Sequence, residues 1–311
     1  MPTCEKCGKK LEEDAHYCSY CGTPTRETSL SESSQNQALE TPLSEIPSSE
    51  QASVVETTPL KSRRITIVLV ILIAIAAVAF GVYQLLPRAF TLQPTQTVMG
   101  ADWSGYSIST SIKNPQPTVT EVSGTWIVPS INIAPGNTFS GAWIGIGGQF
   151  DQSLIQTGTD HDVINGQIVY SAWYELLPAD PVYLTMNVTP GDRITANIKL
   201  LNATANTWSI SIQDATNGQS YQTSVHYDST MLSAEWIVES PLVEGHVGVL
   251  SNFGSITFTN CNAVVGGKTG TILDFPSSDF IMINRQNNPL IAVSTPSTDG
   301  SLFVVTFKSA K

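Results

Sequence analysis

The sequence predicts an all-β fold for residues 101–311, an antiparallel β-sandwich, preceded by a small cysteine-bearing segment and a single apolar span. Three observations lead there. Runs of β-branched and aromatic residues recur from residue 119 onward, punctuated by Gly, Pro, Asn and Asp, with no long helical period between them. Ile65 to Tyr83 is apolar apart from Thr66. Four of the five cysteines fall within the first 21 residues.

The first segment, residues 1–26, carries Cys4-x-x-Cys7 and Cys18-x-x-Cys21. Each pair can present two thiolates to one ion, and four thiolates close the tetrahedral shell of a structural Zn²⁺. Gly8 and Gly22 follow the second cysteine of each pair, where such a turn needs positive φ. So short a segment has too few apolar residues to fold alone, so metal binding would drive its folding. It resembles a zinc ribbon. Two disulfides are the alternative and require an oxidising compartment. His16 reads as a bystander, and a closed four-thiolate shell leaves no position for catalysis.

Residues 27–61 are rich in Ser, Thr, Glu, Gln and Pro and read as a disordered linker. Residues 62–86 read as a transmembrane helix, because about 20 apolar residues span the hydrocarbon core. A cleaved signal peptide fits poorly, since the run is long and more than 60 residues precede it. Lys61, Arg63 and Arg64 flank one side and only Arg88 the other. The expectation is a single-pass protein of the cell membrane, with the ribbon in the cytosol and the β-domain outside. Thiolates on zinc suit that reducing side. Residues 87–100 read as a stalk.

Strands are expected at Val119–Val128, Ala142–Ile146, Gln167–Leu177, Val182–Val188, Asp192–Leu201, Thr207–Gln213, Ala234–Glu239, Gly254–Thr259, Phe280–Ile283 and Leu302–Phe307. From residue 101 there are 16 Asp plus Glu against 7 Lys plus Arg. Protonating the carboxylates leaves a modest positive charge, so this surface tolerates acid. The net charge of −11 argues against nucleic acid as a partner. The ribbon, with few basic residues beyond Lys6, Lys9, Lys10 and Arg26, points to a cytosolic protein contact. Asn187-Val-Thr and Asn202-Ala-Thr are glycosylation sequons.

Candidate chemistry centres on Ser233–Glu239. Alternation puts Ala234, Trp236 and Val238 on one face and Glu235, Ile237 and Glu239 on the other. A Glu sharing a face with Ile is costly to bury unless paired or used. No Gly-x-Ser-x-Gly elbow, His-Glu-x-x-His or catalytic Cys pattern is present. Cys261 reads as a small filler at a strand end. Gln156 and Glu175 stand out beside Glu235 as polar groups in aromatic, strand-like settings.

Several motifs resemble, in order, those of the glutamic peptidases (the eqolisin family). They are Trp103-Ser104-Gly105-Tyr106, Val122 to Pro129, Ala142-Trp143-Ile144-Gly145-Ile146-Gly147-Gly148, Gln156, Trp173–Glu175, Ala234–Glu239, Asn252 to Thr259 and Thr295 to Phe307. The likeness covers the β-domain and not residues 1–100. It implies a sandwich of two large curved antiparallel sheets and acid endopeptidase activity on proteins and peptides, with no cofactor for catalysis. Carried over by motif, the dyad falls on Gln156 and Glu235, and Trp103, Trp143, Trp173 and Glu175 on the substrate cleft. One departure stands out, in that the fungal motif has Asp where this chain has Gly147. Glu239 is read as a neighbour only.

The residue types suit the chemistry. A carboxylate takes a proton from water and returns it to the leaving amine. A neutral amide donates to an oxyanion without titrating, which a His could not do in acid. Each residue alone has a plainer reading: Gln156 a surface amide, Glu235 a solvated strand residue, the tryptophans core. The alternative for the whole domain is a non-catalytic sandwich that binds protein or glycan at its surface.

Overall fold

The computed structural model describes residues 95–309 and the single residue Thr3. The expected zinc ribbon, linker and membrane span lie outside the described residues. Among those described, no helix is long and apolar enough to cross a membrane.

In chain order the strands are β1 (Thr95–Gly100), β2 (Trp103–Ser109), β3 (Val119–Ile127), β4 (Gly141–Gly147), β5 (Leu154–Ile164) and β6 (Gln167–Leu176). There follow β7 (Val182–Tyr183), β8 (Arg193–Asn202), β9 (Thr207–Asp214), β10 (Ser220–His226), β11 (Ser233–Glu239) and β12 (Leu242–Val243). The last are β13 (His246–Val247), β14 (Ser255–Val265), β15 (Lys268–Gly270), β16 (Ser277–Met282), β17 (Ile291–Val293) and β18 (Phe303–Phe307). A single 3₁₀ turn, Ile272–Asp274, precedes β16.

Two eight-stranded sheets form the sandwich. The first runs β1-β16-β2-β11-β4-β5-β6-β7; the second runs β10-β9-β8-β3-β14-β18-β17, with β15 paired to β14. β12 and β13 form a separate hairpin. β11 is central in the first sheet, between β2 and β4.

The alternation expected of β11 organises the packing. Ala234, Trp236 and Val238 join the core between the sheets, with Trp126, Ile144, Phe258 and Phe303. Ile237 instead packs on the outer face of the first sheet with Trp143, Leu154, Trp173 and Phe280. Each buried Trp removes about 150–250 Å² from water, worth about 4–6 kcal/mol before entropy. Buried indole N–H groups also need acceptors. Trp236 donates to Ser123 O at 2.8 Å, Trp126 to Thr159 Oγ1 at 2.9 Å and Trp208 to Tyr227 O at 3.0 Å.

Several expectations need correction. The last six residues of the expected stalk are β1, which pairs in parallel with β16, so the sheets are not wholly antiparallel. The strand expected at Val182–Val188 shrinks to Val182–Tyr183, and Pro181 and Pro190 bound this stretch. β14 runs on past Thr259 through an irregularity at Asn260, whose φ is 53°. Cys261 therefore sits mid-strand and fully buried, not at a strand end. β2 and β10 were not expected as strands, and of β5 only the neighbourhood of Gln156 read as strand-like; polar and glycine-bearing sequences such as LIQTGTDHDVI disguise them.

Gly124 of β3 faces the Trp236 indole. A Cβ there would stand 2.8 Å from Trp236 Cδ1 and 3.0 Å from Ile144 Cγ2. Gly124→Val is expected to cost about 1–3 kcal/mol through overpacking. Denaturant unfolding should show a lowered midpoint; an unchanged midpoint contradicts this packing.

Candidate active site

Register lines up the polar residues on the outer face of the first sheet. Glu175 of β6 pairs with Gln156 of β5, and Gln156 with Gly145 of β4. Gly145 pairs with Glu235 of β11, Glu235 with Ser107 of β2, and Ser107 with Ser278 of β16. Paired residues share a face, so these six form one row across the sheet. Adjacent strands lie about 4.8 Å apart, which puts the backbones of Gln156 and Glu235 about 10 Å apart with only a glycine between. A Cβ at Gly145 would meet Leu154 Cδ1 at 2.8 Å and Trp143 Cζ3 at 3.0 Å, so the interval cannot hold a larger residue unchanged.

Both dyad candidates are held on one side and open on the other. Gln156 is 4% exposed and donates from Nε2 to Glu175 Oε2 at 2.5 Å. Glu235 is fully buried, and Ser107 Oγ donates to its Oε1 at 3.1 Å. Gln156 Oε1 and Glu235 Oε2 are buried without a partner among the described residues. Buried oxygens normally accept hydrogen bonds, so this pair is poised to take them from something bound between. Burial holds the Glu235 carboxyl well above the usual carboxylate range; the nearby Ser233 hydroxyl, which makes no hydrogen bond of ordinary geometry, and the Ser107 donor work the other way.

The next rows supply tryptophans and more carboxyls. Trp173, Gly158, Trp143 and Ile237 pair in sequence across β6, β5, β4 and β11. One step on lie Asp160, Gly141, Glu239 and Trp103. Each indole reaches along the face to a carboxylate: Trp143 Nε1 donates to Glu239 Oε2 and Trp173 Nε1 to Asp160 Oδ1, both at 2.7 Å. Trp103 meets Trp143 edge-on, with ring centroids 5.0 Å apart.

A cleft of about 720 Å³ lies over these rows, lined by Trp103, Gln156, Trp173, Glu175 and also Asp102, Asp160, Asp162 and Glu239. Trp143 does not line it; that residue is fully buried beneath and acts through Glu239 and Trp103. Glu235 is likewise below the cleft lining. Glu239 is more than a neighbour, since it lines the cleft and anchors Trp143. Asp160, Asp162 and Glu239 were missed. The period of two was the available signal, because Asp160 and Asp162 alternate with Thr159 and His161 in register with Gln156.

Burial raises the pKa values of the cleft carboxyls. Desolvation lifts Glu239 to about 7, opposed by the Trp143 donor and assisted by Asp102 and Glu175. It lifts Asp162 to about 7 against the Ser140 N–H. Asp160 lies well above its ordinary value, through burial first and Asp162 second. Among the described residues, no group of His, Cys, Asp and Glu is arranged to hold a metal.

Gly147 explains the departure from the Asp of the fungal motif. Its φ is 94°, and a Cβ there would lie 2.0 Å from Ser153 O. No side chain fits this backbone.

A model of the Peptidase A4 family matches residues 101–307, and a zinc-ribbon domain model matches residues 3–25. Aspergillopepsin-2 of Aspergillus niger is 29% identical over 206 residues, 58% of this chain and 71% of that protein. Among solved structures, Scytalido-glutamic peptidase with a peptide-based transition state analog superposes with a TM-score of 0.56 at 22% identity, over 67% of this chain and 98% of that one. A second structure of it, with a transition state analog inhibitor, gives 0.57 at 21% identity over the same shares. These two likenesses are of fold.

The raised carboxyls set a pH dependence of stability. Glu239 and Asp162 keep their protons when folded up to about pH 7, whereas the unfolded chain releases them near 4.5 and 3.8. The folded state binds more protons in that window, so stability falls as pH rises through it. Thermal unfolding of the full chain should show a lower midpoint near pH 8 than near pH 4. Glu239→Gln should flatten part of that slope; a midpoint that rises with pH contradicts the assignment.

Proposed function

Because the chain belongs to the Peptidase A4 family and is a glutamic endopeptidase, we propose that Gln156 and Glu235 are its catalytic pair. The observation that carries this reading is their common row on either side of Gly145, each with one buried oxygen left to accept. A water between them can donate one proton toward Gln156 Oε1 and the other toward Glu235 Oε2. Glu235 in its ionised form takes the second proton as the water attacks the peptide carbonyl. The Gln156 amide has two N–H donors. One holds Glu175, and the other serves the oxyanion of the tetrahedral intermediate. Protonated Glu235 then gives its proton to the leaving amine, restoring the carboxylate.

Burial makes Glu235 a stronger base than an exposed carboxylate and favours its proton-bearing form, the one that serves the leaving group. The Ser107 donor maintains the ionised fraction for the first step. Trp103, Trp173 and Glu175 serve substrate positioning, and Trp143 fixes Glu239 from below.

We further propose that the peptidase domain is membrane-anchored through residues 62–86 and stands outside the cell, with the ribbon in the cytosol against a protein partner. Zinc would be held there by Cys4, Cys7, Cys18 and Cys21, whose spacing fits a four-thiolate shell, in a structural role only. Protease protection in sealed cells tests the orientation; digestion of the ribbon from outside overturns it.

The dyad is tested with the full chain on an unfolded protein substrate at acid pH, with pepstatin present. Gln156→Ala should lower kcat by about 10²–10³, the usual cost of one oxyanion donor. Glu235→Gln should fold and not cleave; cleavage equal to wild type overturns the mechanism. Ser107→Ala removes a donor to the ionised form, so the limb of the kcat/KM profile that reports Glu235 should move to higher pH, and Ser107→Thr should restore it. Chelation should leave cleavage unchanged, while metal analysis should find one zinc per chain, lost in Cys18→Ser.

A further inference from the structure

The cleft extends well beyond the dyad. Along β5 its lining runs through Gln156, Asp160, Asp162 and Ile164, alternate residues of one face. Eight residues at about 3.3 Å each make this length about 26 Å. The far end changes character. After the carboxyl rows, Phe139, Ile164, Leu242 and Val243 line the cleft, and none carries charge. Leu242 is 65% exposed, too open to serve the core.

The hairpin that presents Leu242 is held firmly. β12 pairs with β13 through Leu242–Val247 and Val243–His246. Between them Glu244 and Gly245 both have positive φ, 51° and 78°, the pattern of a tight two-residue turn. At its base Ser240 N donates to Asp102 O at 2.8 Å, Ser240 Oγ to Gly248 O at 2.9 Å and Gly248 N to Pro241 O at 2.9 Å. The hairpin root therefore starts from β11 itself, just after Glu239. An apolar residue is thus kept in water on a braced support, continuous with the proposed catalytic cleft.

We propose that Phe139, Ile164, Leu242 and Val243 form a distal subsite for one apolar side chain of an extended polypeptide substrate, about six to eight residues from the bond that is cut. The occupant is a peptide because the site continues the cleft of an endopeptidase, and an extended chain advances by the same rise as the strands beneath it. The side chain is apolar because the lining is, and because the nearer carboxyls are already engaged, Glu239 and Asp160 by indoles and Asp162 by the Ser140 N–H. Binding energy gained so far from the reacting atoms favours long unfolded chains over short peptides. This inference deepens the dyad reading and rests on it for the position of the scissile bond.

The test uses the full chain and a core octapeptide, extended by Ser, Thr and Gln on its N-terminal or its C-terminal side. Leu or Ser is placed six, seven or eight residues from the cut. In one of the two series the Leu peptide should show a kcat/KM about tenfold above its Ser counterpart, the effect of burying part of one apolar side chain. Leu242→Ser and Val243→Thr should each bring that ratio toward one. A ratio near one in both series, or one that both variants keep, overturns the subsite. Fluorescence anisotropy of the same labelled peptides on Glu235→Gln separates the two readings. Tighter binding of the Leu peptide there, lost on adding Leu242→Ser, supports the subsite even if the dyad assignment fails. Equal binding of Leu and Ser peptides overturns it whatever the cleavage data show.

Discussion

The outer face of the first sheet depends on side chains that are missing. Gly145 separates Gln156 from Glu235, and Gly158 separates Trp173 from Trp143. A Cβ at Gly158 would lie 2.5 Å from Ala142 O and from Trp143 Cβ. Large functional groups share this surface because each of these rows carries one lane left empty by glycine. Strand spacing is fixed near 4.8 Å by the backbone ladder, so the only adjustable quantity is the size of the residue between. Glycine weakens a strand by itself. Here the cost is offset by aromatic rings that fill the space from either side.

Around that spacing the cleft brings carboxyls into a desolvated setting in which protons are retained. Indole donors face Glu239 and Asp160, and amide and hydroxyl donors face Glu175 and Glu235. Among the described residues, no Lys or Arg lines the cleft. Such a surface is at ease when its acids are neutral, because like charges so close together repel strongly in low dielectric. The fold of this face is thus itself more at ease in acid.

Much of this was legible in residues. The alternation of Ala234, Trp236 and Val238 against Glu235 and Ile237 divides core from site, and the two sheets divide them likewise. The all-β class followed from the recurrence of short apolar runs. What stayed hidden was pairing. Glu239 could not be seen to hold Trp143, since the two are 96 residues apart and meet only through register. Asp160 and Asp162 gave no strand signal of their own because Asp is depleted in strands, yet the ladder of β5 carries them onto the cleft face. β1 was hidden because an edge strand of six mostly exposed residues has no hydrophobic period to betray it.

The position of Gly147 has a consequence for redesign. Its backbone lies where only glycine is at ease, and the carbonyl of Ser153 occupies the place a side chain would take. An Asp at this position is excluded while the 148–153 loop keeps its present course. The residue and the loop are therefore coupled: a side chain at 147 is admitted only if the loop is rerouted. Introducing a side chain at 147 accordingly calls for redesign of the whole segment from 147 to 153 rather than one amino acid.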